Sequence, residues 1–278
     1  MSSAFKTVVF FAAMLAGLTW FFSTMLGPDT SGVSRTNNGE IRYFGPIDMD
    51  RVEKFKRLYQ PGDRLLVNSN GGSLHAGIEM GNFIHQKRMT VEVIDLCISS
   101  CANYIFLAGE TKVLNKNALV VFHGGPKQAN FLSLMEQAEY SNAEPGTTFG
   151  RADYEGVVTI EKASRQRAAN ANNPCARNEI MNFDGECQQI TVEQRLNFVI
   201  SLEESLYQTI DPALNRSIPY LGQLGDYESI YSEYQYYGFY YSLESLSKLN
   251  VTNVFLKEDT WTPQNNPLFE KVYEVGIN

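Results

Sequence analysis

Basic residues are scarce. The chain carries 23 Lys and Arg against 31 Asp and Glu, a net charge of −8 at pH 7. A surface of that sign does not attract a phosphate backbone, which argues against a broad nucleic-acid-binding role. Histidine is rarer, with three copies in 278 residues. His75 and His85 fall ten apart on one expected helix, about 80° apart around its axis and three turns along it, so they cannot share a metal. Neither a metal nor a cofactor is expected. Four cysteines are too few for a disulfide scaffold of this length but enough for two bridges. The sequence shows no internal repeat. What is present is 44% hydrophobic against 19% charged residues, enough to bury a sizeable core.

One long apolar run stands out. No charge follows Lys6 until Asp29, and Val8 to Leu26 reads VVFFAAMLAGLTWFFSTML. As a helix it spans about 28 Å, close to the thickness of a bilayer core, with every backbone polar group satisfied internally. Residues 1–27 are expected to be a retained transmembrane anchor or a cleaved signal peptide. Residues 28–39 are polar and turn-rich, and read as a linker. Either reading carries residues 40–278 across a membrane, a compartment in which disulfides persist.

Beyond Glu40 short apolar runs alternate with helical stretches. Ile41–Phe44 reads as a strand, and Asp48 caps a helix to Tyr59. Leu65–Val67 is a buried strand running into Asn68-Ser69-Asn70-Gly71-Gly72, after which Ser73 caps a helix to about Lys87. Gly77 and Gly81 lie on one face of that helix and would let it press against a neighbour. Val91–Ile94 is the next strand, followed by Cys97-Ile98-Ser99-Ser100-Cys101 and a helix through Leu107. A last strand, Ala118–Phe122, runs into His123-Gly124-Gly125. This alternation implies an α/β fold with a largely parallel sheet. Residues 126–190 are polar and read as an inserted cap holding Cys175 and Cys187. Thr191 and Gln194 form a capping box for a helix through Ile210. Residues 218–242 are rich in tyrosine (Tyr231, Tyr234, Tyr236, Tyr237, Tyr240, Tyr241), a composition that usually packs with its hydroxyls at a wet edge.

Three features of this stretch carry chemistry together. Paired glycines after a buried strand let backbone N–H groups turn toward a site, as an oxyanion hole requires. A serine at a strand-to-helix elbow can be a simple cap or a nucleophile. A histidine at a strand end, His123, supplies the neutral imidazole that would activate a serine hydroxyl. Each feature alone has an ordinary structural explanation.

The runs VNSNGGSLHAGIEMGNFI, SSCANYIFLAG and VVFHGG resemble, in this order, the Clp protease proteolytic subunit and its exported relatives, members of the ClpP/crotonase fold. The Cys-x-Ser-x-Cys frame resembles that of bacterial periplasmic ClpP-like proteins. The match covers about Ile41 to Gly125, with a weaker echo in Gly238–Val254. The resemblance implies a repeated ββα spiral fold and a Ser/His hydrolase of the peptidase class, acting on a peptide or protein substrate. It also implies a place at the bacterial inner membrane facing the periplasm, or free in the periplasm, and a homo-oligomer. Crotonase-like acyl-CoA chemistry fits the fold but not an exported location.

The nucleophile is Ser99 or Ser100. Counting back from Leu107-Ala108-Gly109 indicates Ser100, whereas the cysteine frame and the distance to His123 indicate Ser99, with Ser100 then supplying an oxyanion N–H. Gly71, Gly72 and Cys101 are the other candidate backbone donors. The family's orienting acid falls on Gly238, where no acid stands, and Asp226 and Glu233 are the nearby carboxylates. The alternative function is a binding or assembly module that keeps the fold without the triad. Cys97 and Cys101, four apart at a helix start, lie within disulfide reach. Cys175 and Cys187 would then close a loop in the cap, with the two other pairings open.

Overall fold

Asp48 accepts a hydrogen bond from the Arg51 N–H and starts helix α1, Met49–Leu58. Ser73 does the same for the Ala76 N–H and starts α2, Leu74–Gln86. Both caps satisfy donors that a helix start leaves unpaired. These helices belong to a computed structural model that describes residues 32–128, 179–181, 187–189, 191–232 and 236–277. The apolar run Val8–Leu26, most of the inserted cap with Cys175, the side chain of Cys187, and Glu233 lie outside the described residues. Among the described residues no helix is long and apolar enough to cross a membrane.

The fold is mixed α/β. Strands β1 (Gly32–Arg35), β2 (Glu40–Phe44), β3 (Arg64–Ser69), β4 (Thr90–Ile98), β5 (Thr111–Leu114) and β10 (Val254–Leu256) follow one another across a sheet in that order. Pairing from β2 through β10 is parallel, as crossover helices between successive strands require. Strand β1 corrects the linker expectation, because Val33, inside the stretch 28–39, is buried in the core. Residues Ile41, Leu65, Val67, Val91 and Val93 are fully buried on neighbouring strands. Each such side chain contributes about 1.5–3 kcal/mol over an exposed one.

Strand β4 changes partner along its length. Thr90–Val93 pairs with β5, and Leu96–Ile98 pairs with β6, Leu119–Val121. A second, smaller apolar cluster of Ile98, Leu119, Val121, Tyr240 and Val272 forms where β6 leaves the main sheet. Beside it, β9 (Gly238–Tyr240) pairs in parallel with β11 (Val272–Glu274), and an antiparallel bridge joins Phe122 to Phe239. Within the cap, β7 (Glu179–Met181) and β8 (Cys187–Gln189) form an antiparallel pair.

The glycine face of α2 does meet a neighbour. A Cβ added at Gly77 would lie 2.8 Å from the Tyr104 ring and 3.0 Å from the Ser100 Cβ, and one at Gly81 would lie 2.6 Å from the Tyr104 carbonyl oxygen. The neighbour is a π-helical segment, Cys101–Phe106. Helix α3, Val192–Ile210, begins with the expected reciprocal capping box of Thr191 and Gln194. It covers the same segment through Tyr207, whose hydroxyl donates to the Asn103 carbonyl at 3.2 Å. Two short helices follow, α4 (Glu228–Ser232) and α5 (Leu243–Lys248). The tyrosine-rich stretch is less wet than its composition suggests. Tyr237 is exposed, but Tyr241 is buried and donates to the Ile218 carbonyl at 2.7 Å.

Candidate functional site

Strand β4 ends at Ile98, and the chain then turns sharply into the π segment. Ser99 makes that turn with φ of 60°. A non-glycine residue in this left-handed region costs about 1–2 kcal/mol and persists only where its surroundings fix it. Here they do so from three directions. The Ser99 N–H donates to the Val121 carbonyl on β6 at 3.0 Å, and the Ser99 carbonyl accepts the Asn103 N–H at 2.8 Å. Cys97 and Cys101 are joined by a disulfide across the turn, with Cα atoms 5.1 Å apart. The bridge runs from the strand end to the first residue of the helix, not along a helical turn as the spacing suggested.

The two serines differ in what their hydroxyls can do. Ser100 is fully buried, with ordinary helical φ of −55°, and its hydroxyl donates to the Gly72 carbonyl at 2.9 Å. Ser99 is half-buried. The conflict between the two residue counts has a physical source. A π turn holds one more residue than an α turn, so a count made through the segment Cys101–Phe106 differs by one residue from the same count made along an α-helix.

Gly71 and Gly72 sit against this elbow. Gly71 has φ of 87°, and an added Cβ would lie 2.6 Å from both the Ile98 carbonyl oxygen and the Ser99 Cβ. Glycine is required there by close approach as well as by conformation. The Gly71 N–H, a candidate oxyanion donor on sequence, is instead taken by the Ser69 hydroxyl at 3.1 Å. The Gly71 carbonyl accepts the Ile47 N–H at 2.8 Å. Carbonyl and N–H of one trans peptide point in opposite directions, so the Gly72 N–H faces away from Ile47. Neither the Gly72 nor the Ser100 N–H makes a hydrogen bond among the described residues. Cys101 follows Ser100, so its N–H would serve a Ser100 nucleophile and not Ser99.

His123 reaches the same end of the sheet because Ile98 pairs with Val121. Ser99 and His123 therefore leave neighbouring parallel strands one and two residues past a matched pair. His123 is half-buried, and its carbonyl accepts from the Gln223 amide at 2.7 Å. The next carbonyl, of Gly124, accepts from the Asn103 side-chain amide at 2.8 Å.

The position to which the motif count points, Gly238, is closed. A Cβ added at Gly238 would lie 2.3 Å from the Phe122 carbonyl oxygen, 2.8 Å from Val121 Cγ1 and 3.1 Å from His123 Cβ, at a φ of 153°. The motif count therefore lands beside His123, at a site that admits no side chain. Asp226 is exposed on a 3-10 turn and makes no hydrogen bond or ion pair with His123 among the described residues. Glu233 lies outside them.

Two groups near the site escaped sequence reasoning. Asn103 is 1% exposed, and its signal was a lone polar side chain inside the apolar run ANYIFLAG. Glu203 on α3 is fully buried and accepts from the Tyr104 hydroxyl at 2.9 Å and the Tyr220 hydroxyl at 2.8 Å. A Cβ added at Gly125 would lie 3.2 Å from its carboxylate, so Glu203 underlies the loop after His123. Burial raises its pKa, against the two tyrosine hydrogen bonds that lower it.

No family model and no curated protein matches the chain. Among solved structures it is similar to ClpP1 from Listeria monocytogenes at 14% identity and a TM-score of 0.33, covering 80% of this chain and 93% of that one. It is also similar to a probable enoyl-CoA hydratase/isomerase from Mycobacterium abscessus at 13% identity and a TM-score of 0.24, covering 78% and 86%. Both likenesses are too distant to assign a function.

Proposed function

We propose that this chain is a serine hydrolase of ClpP/crotonase-like fold that cleaves a peptide or protein substrate. Ser99 is the nucleophile and His123 the general base. The N–H groups of Gly72 and Ser100 hold the oxyanion. The observation that carries this reading is the left-handed, half-exposed Ser99 at a pinned elbow, one strand away from the histidine-bearing end of β6. Strain of this kind clusters at functional sites.

In the reaction, Ser99 Oγ attacks the scissile carbonyl carbon while its proton passes to His123. The carbonyl oxygen becomes an oxyanion between the two N–H donors. Collapse of the tetrahedral intermediate breaks the C–N bond, and His123 returns the proton to the leaving amine. Water then repeats the sequence on the acyl-enzyme, releasing the acid and regenerating Ser99. The apolar run Val8–Leu26 and the Cys97–Cys101 bridge favour a bacterial envelope location, anchored in the inner membrane or free in the periplasm. Assembly into a homo-oligomer is part of the same proposal.

A second reading, a non-catalytic binding or assembly module, is favoured by the closed acid position at Gly238. Reaction with a fluorophosphonate separates the two. Ser99 Oγ would displace fluoride from phosphorus and pass its proton to His123, giving a stable phosphonyl-serine. Labelling of the oxidised protein that survives Ser100→Gly and disappears in Ser99→Ala supports the hydrolase. No labelling in oxidised, folded protein supports the module.

A further inference from the structure

Ser99 stands midway between Cys97 and Cys101, the two ends of the bridge. One end is fixed. Cys97 is held in β4 between two partners, opposite Ser69 on β3 and Val120 on β6. The other end begins the π segment, where the Asn103 N–H reaches back to the Ser99 carbonyl at 2.8 Å. Both cysteines are 0% exposed, and close-packed surroundings leave little room to spare. Gly71 presses on the elbow itself, since even one added carbon there would lie 2.6 Å from the Ser99 Cβ. Two unlinked sulfur atoms need a wider separation than two bonded ones, and neither β4 nor Gly71 can yield it. The part that moves is the Ser99 turn, whose φ of 60° persists only while its surroundings impose it.

We infer that oxidation of Cys97 and Cys101 is the switch that makes this site competent: while both are thiols the Ser99 turn relaxes, and forming the bridge restores it. The inference rests on the proposed Ser99/His123 pair. The oxidant is a disulfide-bearing molecule. The thiolate of one cysteine attacks a sulfur of that disulfide and expels the other sulfur as a thiolate, and the second cysteine then displaces the mixed disulfide. The cysteines lose two electrons and two protons, and the oxidant leaves as two thiols. Relaxation of the turn brings the thiols within reach of the oxidant. The finished bridge, buried at both ends, is shielded from later attack. The hydrolase is thus silent where thiols stay reduced and switched on where disulfides persist.

The test uses the full chain carrying Cys175→Ser and Cys187→Ser, so that the redox change measured is confined to Cys97 and Cys101. The chain is unfolded in a dithiol reductant, refolded with the reductant kept, and compared with its oxidised form. Fluorophosphonate labelling of the reduced, folded protein should be at least about tenfold slower, as a displaced catalytic group makes it. It should recover as oxidised glutathione restores the bridge. Hydrogen exchange at the Asn103 N–H reads the elbow directly and should be about thirtyfold faster in the reduced form. Val67 and Val93, at the buried centre of the sheet, should stay protected. Cys97→Ala combined with Cys101→Ala should label slowly with or without the oxidant. The inference is overturned if reduced, folded protein labels as fast as oxidised protein, or if Asn103 exchange is the same in both forms. Loss of protection at Val67 and Val93 on reduction would also overturn it, since the bridge would then serve the whole fold. No labelling of either form, with Asn103 exchange still redox-dependent, would refute the hydrolase reading and leave the switched elbow standing.

Discussion

Replacing Ser99 by glycine and by alanine should give opposite stability orders at two adjacent positions. At Ser99, φ of 60° penalises any residue with a Cβ by about 1–2 kcal/mol. Glycine escapes this but loses about 0.5–1 kcal/mol more backbone entropy on folding. The net expectation is that Ser99→Gly is more stable than Ser99→Ala by about 0.5–1 kcal/mol. Ser100 has a helical φ of −55°, so only the entropy difference acts there. Ser100→Gly should be less stable than Ser100→Ala by about 0.5–1 kcal/mol. Each comparison cancels the lost hydroxyl, including the Ser100 bond to Gly72. The two differences together span about 1–2 kcal/mol, or roughly 2–8 °C in Tm for a domain of this size. Urea denaturation of the four variants, with the disulfide intact in each, measures it. The same order at both positions would refute a strained elbow and with it the structural ground for choosing Ser99.

Gly238→Asp should not create a triad. Its Cβ meets the Phe122 carbonyl, and clash with strain should cost about 3 kcal/mol in chemical denaturation, with no gain in labelling rate. Replacing Cys97 and Cys101 together by alanine removes a bridge with a sequence separation of four. A loss of about 2 kcal/mol is expected, together with slower labelling of Ser99 as the elbow loosens. Glu203 binds its proton more tightly when folded than the ordinary carboxyl at 4.5, because of burial. The folded state therefore holds more protons above that pH, and stability falls as pH rises through the range between the unfolded and folded values. Glu203→Gln should flatten that fall in a pH series of denaturation midpoints.

The parts of the fold set by local chemistry were legible in advance. Asp48, Ser73 and Thr191 cap the helices they were expected to cap, because a capping side chain and the donor it satisfies lie three residues apart. Gly77 and Gly81 announced a close packing partner, though not that it would be the segment carrying Ser100 and Tyr104. What depends on tertiary register was not legible. Strand β5 and the partner change along β4 follow from which strand lies alongside, and a four-residue run such as Thr111–Leu114 carries little pattern. Val33 looked like linker because its neighbours are polar, yet one buried side chain suffices to add a strand at a sheet edge. The choice between Ser99 and Ser100 was open in sequence because a π turn and an α turn leave the same residues in the same order. The closed space at Gly238 was likewise visible only once Phe122 and Phe239 were paired.

The most direct test of the central claim is the site of covalent modification. After fluorophosphonate treatment of oxidised protein, reduction and trypsin release Met89 to Lys112 as one peptide containing both serines. Fragmentation between Ser99 and Ser100 assigns the adduct. The account predicts the phosphonyl group on Ser99, absent in His123→Ala. An adduct on Ser100, or none in folded and oxidised protein, would contradict it.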